Sequence, residues 1–148
     1  MAERLDASCL TCEITFKVDF FDCDPMGIVW HGNYINYFDR ARSALLDKIG
    51  YGYLEMDKSG YLFPVTEVKV KYMRSLRFGD LCRAKAVLEE YENMIRMHFE
   101  LYNAETGVLT TKGTVSQMCV EAKNNETQYV CPACFVDKVE NCIRAGGF

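Results

Sequence analysis

No stretch of this chain is apolar for long enough to cross a membrane. Its hydrophobic runs fall far short of the about 20 residues that a span requires. There is no excess of positive charge either: 17 basic residues stand against 21 acidic ones, a formal net charge of −4. That balance argues against nucleic-acid binding, which needs a basic face. The stretch from Met1 to Thr11 contains Glu3, Arg4 and Asp6 and lacks the apolar run of a signal peptide. Internal repeats, linkers and low-complexity runs are missing, and histidine occurs only twice. These absences lead us to expect a cytoplasmic protein with reduced thiols. At 148 residues the chain has the size of one domain, 1–148, large enough for a core that needs no staples.

Cysteine, by contrast, is abundant, with eight residues. Two pairs have the C-x-x-C spacing, Cys9 with Cys12 and Cys131 with Cys134. If the chain ends meet, the four could hold a structural zinc ion. A C-x-x-C opening a helix also occurs in redox motifs, but no βαβ unit precedes Cys131. Free thiols are the reading adopted, with no metal and no cofactor assigned. Cys23 lies between Asp22 and Asp24, whose charge disfavours a thiolate, so it is not read as a nucleophile. In a reduced, non-secreted chain the sequon Asn125-Glu126-Thr127 is a chance match.

Apolar periodicity lays out the elements. Ile14, Phe16, Val18 and Phe20 alternate with polar residues, as in a strand with one buried face. Tyr34, Tyr37, Phe38, Ala41, Leu45 and Ile49 recur at helical spacing and predict a helix over about 33–49. Asn33 is expected as its N-cap, Lys48 suits its last turn and Gly50 its left-handed end. Val68, Val70 and Tyr72 mark a second strand, 81–91 a third, Ile95 to Leu101 a fourth and 108–121 a last one. Phe78-Gly79-Asp80 and 103–107 read as turns. Pro132 opens a short terminal helix with Phe135, Val139 and Ile143 on its apolar face. A strand, a long apolar helix, four antiparallel strands and a short helix make an α+β protein, with a curled sheet wrapped around one central helix.

The chemistry concentrates between Val18 and Arg42. The loop Asp22-Cys23-Asp24-Pro25-Met26-Gly27-Ile28-Val29 is followed by Trp30-His31-Gly32-Asn33-Tyr34 and then by Ala41-Arg42 on the helix. A carboxylate on a loop can activate water or attack a carbonyl. Unpaired N–H groups at a helix start can stabilise the developing oxyanion. The D-x-D-x-x-G-x-V loop, the Asn-Tyr at the helix start and the Ala-Arg resemble the 4-hydroxybenzoyl-CoA thioesterase family of hot-dog-fold proteins. Beyond Gly50 the likeness is one of pattern.

The resemblance implies a thioester hydrolase acting on an acyl-CoA or acyl carrier protein thioester. Asp24 aligns with the family's catalytic aspartate, as nucleophile or general base, and Asp22 is left structural. His31 aligns with the residue whose N–H polarises the carbonyl. Its imidazole either orients the water or carboxylate or plays no part. Gly32 and Asn33 complete the helix entry. Tyr34 contacts the acyl group or packs, with packing favoured. Trp30, with Ile28 and Val29, is expected to line an apolar acyl pocket. Lys69, Lys71, Arg74 and Arg77 form a basic cluster that suits phosphates, with Arg74 and Arg77 taken as substrate-binding residues. His98 is expected to be solvated or paired. The family's habit implies a homodimer or homotetramer with the active site between subunits. Three other readings are a non-catalytic module that binds an acyl thioester, a thiol or zinc protein, and a hot-dog dehydratase.

Overall fold

A computed structural model describes residues 5–148 of the chain. Glu3 and Arg4, which entered the reading of the N-terminus, lie outside the described residues. The elements in chain order are β1 (Thr11–Lys17), α1 (Asn33–Ile49), α2 (Tyr53–Ser59), β2 (Tyr61–Leu62), β3 (Val65–Tyr72) and β4 (Leu81–Glu90). They continue with β5 (Ile95–Asn103), β6 (Leu109–Gln117), β7 (Cys119–Glu121), β8 (Glu126–Gln128) and α3 (Ala133–Arg144).

Five strands form one antiparallel sheet in the order β1-β4-β5-β6-β3. Their period-2 pattern decides which face is dry. Ala84, Ala86 and Leu88 on β4 and Met97, Phe99 and Leu101 on β5 are buried. Helix α1 lies on that face, with Tyr37, Phe38, Ala41 and Leu45 fully or almost fully buried. Phe38 stacks on Phe99 with ring centroids 4.9 Å apart and an interplanar angle of 14°. Such a pair adds about 0.5–1.5 kcal/mol beyond the burial of its area. Burying each large apolar side chain contributes about 1.5–3 kcal/mol. Gly113 on β6 is where the helix comes closest: a Cβ there would meet the Phe38 ring at 2.8 Å and the Lys69 carbonyl.

The helix predicted over 33–49 has those bounds, and Gly50 ends it with φ of 93° while its N–H closes on Leu46 O and Asp47 O. Its start is different from expectation. Gly32 is the N-cap, Asn33 is already helical, and no side chain caps the first turn. The Asn33 amide is engaged elsewhere, with the loop.

Three further differences have physical causes. β1 ends at Lys17 rather than Phe20, because Val18 N–H donates to Asp80 O and the chain then turns tightly through Phe20–Asp22. The expected last strand breaks at Met118, whose N–H donates to Pro64 O. β6 stays in the large sheet, while β7 crosses to a small sheet of order β2-β7-β8. The short helix α2 gave no periodic signal, since Met56 is its one buried residue. The terminal helix begins after Pro132 as expected, with Phe135 and Val139 buried.

No helix among the described residues is long and apolar enough to cross a membrane.

Candidate active site

The loop between β1 and α1 carries two carboxylates, and its backbone gives them different surroundings. Asp22 accepts four hydrogen bonds. One of its carboxylate oxygens accepts from the Tyr37 hydroxyl at 2.7 Å and from Asp19 N–H at 3.3 Å. Its carbonyl accepts from Trp30 N–H and from the Asn33 amide, both at 2.9 Å. Asp24 is held more lightly. One carboxylate oxygen accepts from Met26 N–H at 2.9 Å, an Asx turn of the kind Asp makes before a proline. The other oxygen accepts no hydrogen bond among the described residues. Its backbone closes the turn, giving its N–H to Ile28 O and taking Gly27 N–H on its carbonyl. Gly27 has φ of 78°, a conformation that costs an L side chain about 1–2 kcal/mol. Burial and then the charge of Asp22 push the Cys23 thiol up.

Helix entry is fixed from two sides. The Tyr72 hydroxyl, at the end of β3, donates to His31 O at 2.8 Å. Leu76 N–H donates to the Tyr34 hydroxyl at 3.0 Å, and Val29 N–H donates to Leu76 O at 2.8 Å. The N–H groups of His31 and Gly32 make no hydrogen bond among the described residues, and they stand at the positive end of a 17-residue helix.

Asp24 and His31 line one cavity of about 270 Å³, together with Ile28, Val29, Tyr34, Tyr72 and Arg74. Of the residues singled out from sequence, Asp24, His31, Tyr34 and Arg74 thus come together. Tyr34 packs and lines at once: it is 3% exposed and reaches the cavity. Trp30 is not among the lining residues. It is half exposed, its ring lying over Gly32 and 4.9 Å from the His31 ring. A Cβ on residue 32 would strike that ring, so Gly32 is what lets Trp30 fold over the helix entry. Asn33 spends its amide on Asp22 O.

The basic cluster divides. Arg74 lines the cavity, and Arg77 pairs its backbone with Ile28 next to it. Lys69 and Lys71 belong to a separate depression on the outer side of the sheet, with His98 and Lys112. There His98 Nδ1 lies 4.0 Å from Glu89. Sequence reasoning missed Tyr72 as a lining residue and Tyr37 as a partner of Asp22. Tyr37 carried the helical period of a core residue, and nothing in that period reveals where its hydroxyl goes.

A second cavity, of about 610 Å³, opens between α1, α2 and the small sheet. Leu46, Tyr53, Met56, Leu62 and Phe63 give it mostly apolar walls. Leu46 lies twelve positions beyond Tyr34 on α1, a rise of about 18 Å. In one copy of the chain, therefore, the carboxylate and the roomier apolar cavity are far apart.

The eight cysteines are free thiols. Cys9 packs by Gly147 at the C-terminus, whereas Cys131 is buried ahead of α3. Among the described residues no group of three or more His, Cys, Asp or Glu is placed to hold a metal ion.

Residues 18–139, most of the chain, match the Thioesterase-like superfamily. The chain belongs to that superfamily. Over 109 residues it is 31% identical to YneP of Bacillus subtilis, a candidate acyl-CoA thioesterase by name, covering 73% of this chain and 78% of that one. Over 106 residues it is 24% identical to the acyl-CoA thioesterase YbgC of Haemophilus influenzae, covering 71% and 77%. It shares 30% identity over 107 residues with the acyl-acyl carrier protein thioesterase ATL2 of Arabidopsis thaliana, covering 69% of this chain and 56% of that longer one. Among solved structures, a DHNA-CoA thioesterase from Staphylococcus aureus superposes with a TM-score of 0.77 at 24% identity, covering 93% and 96%. The protein SAV2348 of the same species, solved in complex with CoA, superposes at 0.81 with 16% identity, covering 97% and 89%. These likenesses give the hot-dog thioesterase fold.

Proposed function

We propose that the chain is an acyl-CoA thioesterase of the 4-hydroxybenzoyl-CoA thioesterase type, releasing a carboxylic acid and free coenzyme A. The observation that carries this reading is the cavity shared by Asp24, with one carboxylate oxygen free, and by the helix entry, with two N–H groups free. Acyl-CoA, rather than another thioester, follows the names of YneP and YbgC; an acyl carrier protein thioester, as named for ATL2, is the variant of the same chemistry.

Asp24 acts on the thioester carbonyl in one of two ways. As general base its free oxygen takes a proton from water, and the hydroxide adds to the carbonyl carbon. As nucleophile it adds directly and water then cleaves the anhydride. On either route the carbonyl oxygen gains negative charge. The N–H groups of His31 and Gly32, at the positive end of α1, meet that charge, and each such donor is worth about 2.7–4 kcal/mol in known hydrolases. Collapse of the tetrahedral adduct expels the thiolate. Arg74, with Arg77 beside it, supplies positive charge at the cavity mouth for the carrier's phosphates.

The site is completed by a second copy of the chain. The exposed edge strand β3 leaves Val65, Val68 and Tyr72 in contact with solvent, and an open strand edge is a template for pairing. Tyr72 at the end of β3 lines the Asp24 cavity, so a second copy paired there lies beside that cavity.

The reading is tested by incubating the protein with aromatic and aliphatic acyl-CoA substrates and separating free acid from thioester by chromatography. A thiol-trapping dye is unsuitable, because eight protein cysteines react too. Catalytic release of acid from at least one substrate is expected; none across the panel overturns the proposal.

A further inference from the structure

The other aspartate of the loop, Asp22, accepts four hydrogen bonds through its side chain and carbonyl, yet hydrolysis has no step for it. Asp22 is bound to the helix by two contacts and to the residue before His31 by a third. The Tyr37 hydroxyl reaches its side chain at 2.7 Å, the Asn33 amide reaches its carbonyl at 2.9 Å, and Trp30 N–H reaches the same carbonyl at 2.9 Å. Tyr37 is 1% exposed, with its ring edge-on to Phe16 at 4.8 Å, so its position is set by the core and not by the loop. Two of the contacts therefore run from a rigid helix to the loop segment that precedes Asp24. Asp22 lies two residues before Asp24 in the chain, and Trp30 directly precedes His31. One residue thus ties together the two ends of the loop that carry the carboxylate and the N–H donors.

We propose that Tyr37 and Asp22 are positioning residues: the Tyr37 hydroxyl, by holding the Asp22 carboxylate, sets the distance between Asp24 and the free N–H groups at the start of α1. The inference rests on the thioesterase reading for its consequence in rate, but the geometry it describes is independent of it. Burial, and then donation to Asp22, pushes the Tyr37 phenol above its ordinary range, so the donor is protonated at neutral pH. A displacement of about 1 Å at a reacting group costs up to about a hundredfold in rate.

Two readouts test the proposal. The first uses Trp30, the single tryptophan, whose backbone N–H donates to the Asp22 carbonyl. Tyr37→Phe keeps the buried ring and removes the hydroxyl. Asp22→Ala removes the acceptor, and Asp22→Asn keeps an acceptor oxygen. Acrylamide quenching of Trp30 is expected to rise in Tyr37→Phe and Asp22→Ala and to stay near wild type in Asp22→Asn. The second readout is the kinetic split on an acyl-CoA that the wild type hydrolyses. Tyr37→Phe and Asp22→Ala are each expected to lower kcat by about tenfold to a hundredfold, with KM within about twofold. The double variant is expected to be no slower than either single one. Asp22→Asn should retain most of the activity. Unchanged quenching together with unchanged kcat in Tyr37→Phe overturns the proposal. So does an inactive Asp22→Asn, which makes Asp22 itself the reacting carboxylate. Circular dichroism of each variant shows whether it folds; if Tyr37→Phe does not, the Asp22→Ala and Asp22→Asn pair decides. A wild type that hydrolyses nothing overturns the thioesterase reading and leaves the quenching result to judge the loop.

Discussion

The two aspartates of the loop differ in how they are held, and the roles proposed for them follow that difference. Asp22 accepts from Tyr37 and Asp19 on one carboxylate oxygen and from Trp30 and Asn33 on its carbonyl, while Asp24, which lines the cavity, has its side chain held through Met26 alone and a carboxylate oxygen left over. Removing that oxygen's basicity in Asp24→Asn is expected to lower kcat by about 10²–10⁴, the usual contribution of a positioned acid or base. Gly27 makes the turn that lifts Asp24 toward the cavity. Gly27→Ala meets no neighbouring atom, so its cost is confined to backbone strain at φ of 78°. A loss of about 1 kcal/mol in urea unfolding, accompanied by lower kcat, is expected. Much of this was legible in the sequence. The carboxylates, Gly27 and the helix start could be read as a unit because their spacing is fixed by a short loop. The roles of Asn33 and Trp30 could not. Whether an amide caps its own helix or reaches back to a loop carbonyl depends on the path of the loop, which is set by contacts with Tyr37 on the helix and with Leu76 far along the chain.

The elements themselves followed from periodicity where each buries one face. Helix α1 and strand β5 were legible because every third or fourth, or every second, residue is buried. Helix α2 and strands β2 and β8 were not, since they are short and mostly exposed. The break at Met118 was hidden for another reason: one apolar pattern runs through two strands that belong to different sheets. At the contact between α1 and the sheet, Gly113 is the residue with least room. Gly113→Ala would press a methyl group on Phe38 and on the Lys69 carbonyl, and a destabilisation of about 1–3 kcal/mol is expected from thermal or urea unfolding.

At the scale of the molecule, cysteine again becomes informative, as a report on burial. Burial pushes the thiols of Cys82 and Cys131 up to about 12 and that of Cys119 up to about 11, from an unfolded value near 9.0. The folded chain thus keeps these protons above pH 9, where the unfolded chain releases them. Their contribution to stability is complete below pH 9 and is lost as pH rises toward 11 to 12. Unfolding midpoints that fall across this window are expected, and Cys82→Ala should flatten part of the fall. In the same range the three thiols should react with an alkylating reagent far more slowly than exposed Cys9 and Cys134. The proposed pairing of β3 edges predicts sedimentation at twice the 17.0 kDa chain mass or a higher even multiple. A charge placed on that edge, Val68→Lys in one copy and therefore in both, should shift the protein toward monomer and lower its activity together.

The most direct test of the central claim is the rate of acid release from the best acyl-CoA substrate by Asp24→Asn, measured beside wild type by chromatography. The account predicts turnover by wild type and a loss of about 10²–10⁴ in kcat for a folded, equally oligomeric variant. Asp24→Asn turning over as fast as wild type would contradict it.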